Sequence, residues 1–134
     1  MTMSAASLQS AELSIVHGAP LSAEPGLGAL TIAGYARAVT RRHAAREALV
    51  MRTTCGRVSW TYAELWERSV EVARALIAAG VGRDTRVGVL MTNRPEHIAS
   101  VFGIALAGGV TVSFSTFSTP VELEYLLQAG AVSI

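Results

Sequence analysis

The clearest pattern in the chain is a run of side chains that recur at intervals of three and four residues near its middle. On an α-helix these positions form one continuous stripe, which predicts a helix packed against a core. Thr61 and Glu64 have the spacing of a capping box at its start, while Arg68, Glu71 and Arg74 allow charge pairs on its outer side. The stripe consists of Tyr62, Leu65, Trp66, Ser69, Val72, Ala73, Leu76 and Ile77.

A shorter helix and a hairpin are predicted upstream of this stripe. Thr31 can cap a helix that runs to about Ala45, with its arginines on the exposed side. Two extended runs follow, residues 48–52 and 57–60, and Gly56 between them permits a tight turn. The first half of the chain therefore predicts a helix, a β-hairpin and a second helix.

Three short apolar runs predict strands in the second half of the chain. Residues 86–91 and 110–114 show no regular polar alternation, and residues 131–134 begin a third run. Runs of this kind are typical of parallel strands that are covered on both faces. We therefore expect a parallel sheet.

Two helices are predicted to connect these strands. Asn93 can cap the first, Pro95 suits its first turn, and the helix is expected to end at Ala107. Thr119 opens a second capping box, and its helix is expected to run to about Ala129. Alternating strands and helices define an α/β fold with right-handed crossovers. The sequence thus predicts an incomplete three-layer parallel-sheet domain, preceded by a hairpin and helices.

The two ends of the chain depart from this regular pattern. Residues 1–28 are rich in Ala, Ser, Gly and Pro without periodicity, so we expect a loosely ordered leader. Residues 29–134 form the α/β segment, and its last strand has no helix after it to cover the sheet. An uncovered strand favours aggregation, so we expect a truncated domain.

Composition narrows the chemistry that the chain can perform. All eleven basic residues are arginine, so no lysine is available for a Schiff base or a phosphate loop. Cys55 is the single cysteine, which excludes an internal disulfide and a CxxC site. A net charge of +1 gives no reason to expect a nucleic acid partner. With no secretory signal and no apolar run long enough to span a membrane, we expect a cytoplasmic location.

No catalytic, cofactor-binding or metal-binding residue can be assigned from the motifs present. His17, His43 and His97 are far apart and lack the spacing of a metal site, so we interpret them as surface residues. Asp84 is the only aspartate and lies in a predicted turn. Neither a GxGxxG fingerprint nor a phosphate loop occurs.

One hydroxyl-rich segment is the best candidate for contact with a ligand. Residues 114–119 follow a predicted strand, and open α/β sheets bind ligands at the carboxyl ends of their strands. The alternative interpretation is a polar loop followed by a helix cap. The hydroxyl side chains are Ser113, Ser115, Thr116, Ser118 and Thr119.

Several short motifs follow one another in a set order across residues 48–134. They are Thr61-Tyr62-Ala63-Glu64-Leu65, then Gly82-Arg83-Asp84, then Leu106-Ala107-Gly108-Gly109-Val110 and Thr119-Pro120-Val121-Glu122-Leu123. In this order and spacing the chain resembles the N-terminal part of the AMP-dependent synthetase/ligase superfamily, the adenylate-forming enzymes that include acyl-CoA synthetases. Residues 113–116 depart from the family pattern, which often has a proline after the strand, and this leaves the subfamily open.

The resemblance implies an enzyme that activates a small carboxylic acid with ATP and transfers it to CoA. The carboxylate attacks the α-phosphate, which gives an acyl-adenylate and pyrophosphate, and a thiol then displaces AMP. The family's ATP-binding and Mg²⁺-binding motifs and its catalytic lysine lie downstream of the matching segment. We therefore expect this chain alone to be inactive and to bind no ATP, Mg²⁺ or CoA.

Two alternatives stay open at this point. One is a non-catalytic α/β binding or interaction module that pairs its open sheet edge with another chain. The other is a fragment of a peptide-synthetase adenylation domain, which uses the same activation chemistry with a carrier protein as acceptor. The acid, the acceptor and the oligomeric state are not specified by the residues present.

Overall fold

The computed structural model describes residues 18, 20 and 31–134, and the predicted leader therefore lies almost entirely outside the described residues. The described part confirms the α/β class. None of the helices described there is long and apolar enough to cross a membrane. The elements are α1 Ile32–Arg42, β1 Glu47–Thr53, β2 Gly56–Thr61, α2 Tyr62–Ala78, β3 Arg86–Leu90, α3 Pro95–Leu106, β4 Val110–Phe114 and α4 Pro120–Ala129.

Threonine side chains begin three of these helices. The Thr61 hydroxyl oxygen accepts from the Glu64 N–H, and the Glu64 carboxylate accepts from the Thr61 N–H at 2.7 Å. Thr119 and Glu122 repeat this reciprocal arrangement at α4. Thr31 accepts from a backbone N–H in the first turn of α1. Both predicted capping boxes and the first cap are confirmed, so local side-chain chemistry fixes where these helices start.

Two predicted helix boundaries are wrong. α1 ends at Arg42, three residues before the predicted end at residue 45, because His43 leaves helical geometry. The N-cap of α3 is Arg94 and not Asn93, and no side chain caps that helix. Pro95 follows this N-cap and suits the first turn of α3, because proline has no backbone N–H that would need a hydrogen-bond partner.

The charge pairs predicted on the outer side of α2 do not form. The Glu64 carboxylate is held by its capping box, and the Arg68 guanidinium lies over the Trp60 ring, 4.5 Å from the ring centroid. Glu71 and Arg74 do not come within ion-pair distance of each other. Arg68 therefore stabilises the hairpin through a cation–π contact and not α2 through a surface ion pair.

The predicted hairpin is confirmed and is longer than expected. β1 and β2 pair antiparallel, and Thr53 pairs with Gly56 across a two-residue turn. Gly56 has a φ of +127°, which only glycine adopts without strain. The hairpin delivers Trp60, which is 7% exposed, to the core.

Two hydrophobic clusters meet along α3. One joins α3 to the hairpin and α2, and the other joins it to the sheet. Gly103 allows α2 and α3 to approach closely, because a Cβ at this position would lie 2.5 Å from Val72 Cγ1 and 2.9 Å from the Ser69 carbonyl oxygen. The clusters are Trp60, Leu65 and Ala99, and Val81, Val87, Val89 and Ile104.

The parallel pairing of β3 and β4 is confirmed, with Arg86 opposite Val110 at one end of the register. The prediction that the sheet is covered on both faces is not confirmed. Val87 and Val89 are buried, whereas Leu90 is 53% exposed. The described chain therefore covers one face of this sheet and leaves much of the other open.

Residues 131–134 do not form the predicted strand, although they begin to pair with β3. The Ile134 N–H donates to the Arg86 carbonyl at 3.4 Å, and the Gly88 N–H donates to the Ile134 carbonyl at 2.7 Å. This is the hydrogen-bond pattern of parallel strands. The order across the sheet is residues 131–134, then β3, then β4.

We expect Gly103→Ala to destabilise the chain by about 1–2 kcal/mol, because overpacking against α2 outweighs the higher helix propensity of alanine. The midpoint of urea unfolding measures the change. Gly82→Ala is the control, because a Cβ there meets no atom within 4 Å. An equal midpoint for the two variants would show that α2 and α3 are not closely packed at Gly103.

The capping boxes should make the stability of the chain depend on pH. The hydrogen bond from the Thr61 N–H, followed by that from the Thr61 hydroxyl, lowers the pKa of Glu64, and Thr119 lowers the pKa of Glu122 in the same way. A carboxylate whose pKa is lower in the folded state stabilises the fold above its unfolded pKa, and this contribution is lost as pH falls.

The midpoint of thermal unfolding should therefore fall as pH is lowered from about 6 to about 3. It should fall less in the double variant Glu64→Gln/Glu122→Gln than in the unsubstituted chain. Glu67→Gln serves as the control, because Glu67 is exposed on α2 outside the capping box. If all three proteins lose stability with the same slope, the two carboxylates do not contribute to acid unfolding.

Candidate functional site

The carboxyl ends of β3 and β4 are followed by helices on opposite faces of the sheet. Val87 and Val89 of β3 pack with Ile104 of α3, which places α3 on their face. Gly130, which ends α4, lies against the other face, where a Cβ on it would be 3.2 Å from Val112 Cγ1. Adjacent parallel strands whose helices leave in opposite directions create a topological switch point, where open α/β sheets bind ligands.

A cleft of about 430 Å³ lies at this switch point. The loop after β3 forms one wall, the loop after β4 forms the other, and α3 contributes one side chain between them. Its lining residues are Met91, Thr92, Asn93, His97, Ser113, Phe114, Ser115, Thr116 and Phe117. We call it the switch-point cleft.

The hydroxyl-rich segment predicted from the sequence divides between two places. Ser113, Ser115 and Thr116 line the switch-point cleft. Thr119 is used by the capping box of α4, and Ser118 borders a separate groove along that helix. The ligand-contact interpretation therefore fits the first part of the segment and the helix-cap interpretation fits its end.

Ser115 shapes the wall that follows β4. Its hydroxyl oxygen accepts from the Phe117 N–H at 3.2 Å, and its carbonyl accepts from the Ser118 N–H at 3.2 Å. These bonds fold the loop into a turn and leave the Phe117 side chain 95% exposed at the rim of the cleft. An aromatic ring in this position can cover a ligand held between the two loops.

The residues of the other wall, which the loop after β3 forms, were not predicted from the sequence as ligand contacts. His97, interpreted as a surface residue, is half-buried in the first turn of α3 and lines the cleft, as does Asn93 in the preceding loop. His43 is also half-buried, with its ring 6.0 Å from that of Tyr62, and His17 lies outside the described residues. Residues 114–119 were predicted because open α/β sheets bind ligands at the carboxyl ends of their strands, and the same rule applies to the loop after β3.

The residues lining the switch-point cleft carry no carboxylate, lysine or arginine. Arg94 and Glu96, at the start of α3, bind each other at 3.2 Å, and the pKa of Glu96 is lowered chiefly by its own backbone N–H and also by Arg94. The cleft thus offers amide, hydroxyl and imidazole groups beside aromatic rings. This lining fits a neutral, partly polar ligand and does not fit a polyphosphate, which needs cationic groups.

A metal centre has no candidate in the part of the chain that is described. Among residues 18, 20 and 31–134, no three or more His, Cys, Asp or Glu side chains are grouped so that they could hold a metal ion.

Comparison with known proteins defines the class as adenylate-forming enzymes. The family model described as AMP-binding enzyme matches residues 36–134, and the chain belongs to this family of AMP-binding acid and acyl-CoA ligases. The matched range contains the hairpin, both capping boxes and the whole switch-point cleft. The resemblance inferred from the motifs is confirmed.

Individual relatives are similar over much of the chain. Acyl-CoA ligase SID4 of Ajellomyces capsulatus is 32% identical over 122 residues, which are 91% of this chain and 20% of that protein. Tyrocidine synthase 3 of Brevibacillus parabrevis is 39% identical over 70 residues, 52% of this chain and 1% of that protein. The chain thus spans about a fifth of the length of the curated acyl-CoA ligase that it matches.

The fold is similar to that of solved enzymes in the same class. The structure of a fatty acyl CoA synthetase from Mycobacterium tuberculosis superposes with a TM-score of 0.71 at 25% identity, over 77% of this chain and 20% of that one. The predicted fold class, the start of the large N-terminal domain of an adenylate-forming enzyme, is confirmed by this likeness.

Proposed function

We propose that this chain is the N-terminal segment of an AMP-forming acid–CoA ligase. The complete enzyme activates a carboxylic acid as an acyl-adenylate, with release of pyrophosphate, and transfers the acyl group to the thiol of CoA. The observation that carries the proposal is the 32% identity to an acyl-CoA ligase over 91% of the chain. The likeness in fold to a fatty acyl CoA synthetase supports it.

Within that enzyme we assign residues 29–134 to the first part of the AMP-binding domain, preceded by residues 1–28. Charge builds up on the phosphates of ATP during activation and requires cationic groups and a metal ion for stabilisation. The chain contains no lysine, and the lining of its cleft carries no arginine. The groups that bind ATP and Mg²⁺ are therefore supplied by other parts of the ligase.

The contribution of this segment to substrate binding is the switch-point cleft. Its position at the carboxyl ends of two parallel strands is where ligands of this fold class bind. Asn93 and His97 on one wall and Ser115 on the other can donate to or accept from a neutral polar group. We propose that the cleft contacts an uncharged part of one substrate.

A cytoplasmic location belongs to the same proposal. Cys55 is a free, exposed cysteine, and the chain has no second cysteine with which it could pair. An exposed thiol of this kind is typical of proteins that stay in a reducing compartment. ATP and CoA as substrates fit that compartment.

A peptide-synthetase adenylation domain is the second candidate. The 39% identity to tyrocidine synthase 3 over 70 residues favours it, although that match covers only 52% of the chain. The two candidates share the adenylation step and differ in the acceptor thiol, which is CoA in one and a carrier protein in the other. The acceptor therefore decides between them.

We expect residues 1–134 alone to give no ATP–pyrophosphate exchange above background with any carboxylic acid, because phosphate-stabilising groups are the largest catalytic contribution. The product of the complete reading frame should form AMP with at least one acid and convert CoA to a thioester.

Each result of this assay has a distinct meaning. Exchange by residues 1–134 alone would contradict the assignment of the ATP site to other parts of the enzyme. AMP formation without consumption of CoA would favour the adenylation-domain candidate. A folded complete product that forms no AMP with any acid would contradict both and favour a non-catalytic interaction module.

A further inference from the structure

Positive charge is concentrated in one part of the chain, around α1. Residues 31–57 contain six arginines and one glutamate, whereas the remaining residues contain five arginines and nine acidic residues. The net charge of +1 therefore conceals a basic region. Four of its arginines fall within ten residues and are all exposed, and we call them the α1 arginines: Arg37, Arg41, Arg42 and Arg46.

The α1 arginines have no acidic neighbour in the part of the chain that is described. None of them lies within ion-pair distance of a carboxylate there, and Glu47, the one glutamate of the basic region, is bound to Arg57 at 2.7 Å. The helix dipole favours the two arginines in the last turn of α1 but does not account for the other two. Exposed charges of one sign on one surface attract a partner of the opposite charge.

α1 is fixed to the core on its inner side. Ala36 and Thr40 are 3% and 4% exposed, and the Thr40 hydroxyl donates to the Arg37 carbonyl at 3.1 Å. With about 3.6 residues per turn, Arg37 and Arg41 lie along one edge of the outer side and Arg42 lies along the other edge. The arginines therefore project from a rigid surface on both sides of the helix axis.

Apolar side chains share this outer surface with the α1 arginines. Ile32 is 60% exposed and Tyr35 is 53% exposed, one turn apart in the first half of the helix. Gly34 and Ala38 lie between the two edges, so no long side chain keeps a flat partner away from the backbone. A helix that combines exposed arginines with exposed apolar and aromatic side chains is typical of attachment to a membrane surface.

We infer that the outer side of α1 is a docking surface for an anionic phospholipid bilayer. Each guanidinium group can donate two parallel hydrogen bonds to a lipid phosphate, and the long arginine side chain reaches the phosphates from either edge of the helix. Ile32 and Tyr35 then enter the boundary between headgroups and acyl chains. These apolar residues favour a bilayer over a nucleic acid, whose backbone is bound mainly through charge.

Sedimentation of the complete protein with vesicles tests this surface. One set of vesicles contains phosphatidylcholine alone, and the other contains equal parts of phosphatidylcholine and phosphatidylglycerol. We expect partition into the anionic vesicles to be at least about 10-fold stronger, because each arginine near an anionic surface strengthens it about 5-fold. The difference should disappear as salt is raised well above about 0.15 M. Equal partition into both sets, or none into either, would overturn the inference.

A charge-matched pair of variants locates the binding on α1. Arg41→Gln/Arg42→Gln should weaken partition into the anionic vesicles at least about 10-fold, whereas Arg74→Gln/Arg83→Gln should weaken it less than about 2-fold. Arg74 and Arg83 are exposed outside the basic region, so both variants lose two positive charges from the surface. Equal thermal midpoints confirm that both are folded. If the two variants lose partition equally, net charge and not α1 determines the binding.

A second matched pair tests whether apolar side chains enter the bilayer. Ile32→Gln should weaken partition about 3- to 5-fold, and Ile77→Gln should leave it unchanged, although the two isoleucines are similarly exposed at 60% and 56%. No difference between these variants would contradict the insertion of α1. Binding of the complete protein to polyglutamate or duplex RNA, without binding to anionic vesicles, would assign the surface to an acidic protein or a nucleic acid and overturn the inference.

Discussion

The close packing of α2 against α3 organises the described part of the fold. Gly103 permits it, since any larger side chain would meet Val72 and the backbone at Ser69. Ser69 is fully buried at this contact, and its hydroxyl donates to the Leu65 carbonyl at 2.7 Å, so the interface contains no unsatisfied polar group at this point. With α3 fixed, the hairpin packs on one part of it and the sheet on another. The start of α3 then places the loop after β3 beside the loop after β4.

Signals that act over a few residues predicted most of the elements. The capping boxes at Thr61 and Thr119 work through bonds between residues three apart, so the sequence alone reveals them. The side-chain contacts and exposures that were not predicted depend on tertiary contacts. Arg68 turns to Trp60 instead of Glu64, and the exposure of Leu90 depends on what packs against the sheet. The position of His97 in the cleft follows from strand order, which a single sequence does not specify.

The reaction of the family requires charged groups that the lining of the switch-point cleft does not contain. The family uses ATP, which requires positive charge around phosphates. This segment offers a parallel sheet, a switch point and a cleft without carboxylate, lysine or arginine, and residues 36–134 match the AMP-binding family. In the proposed ligase, this segment would supply the frame and the switch-point cleft, and the reacting groups would come from elsewhere in the enzyme.

Steady-state kinetics of Asn93→Ala in the complete protein test most directly whether the switch-point cleft binds substrate. Asn93 is exposed, so its loss should leave the thermal midpoint unchanged. We expect a rise of about 10-fold in the KM of one substrate, the size expected for one lost hydrogen bond, whereas Thr54→Ala in the exposed hairpin turn should change no KM. If Asn93→Ala leaves the KM of the acid, of ATP and of the thiol acceptor unchanged, the cleft does not bind substrate.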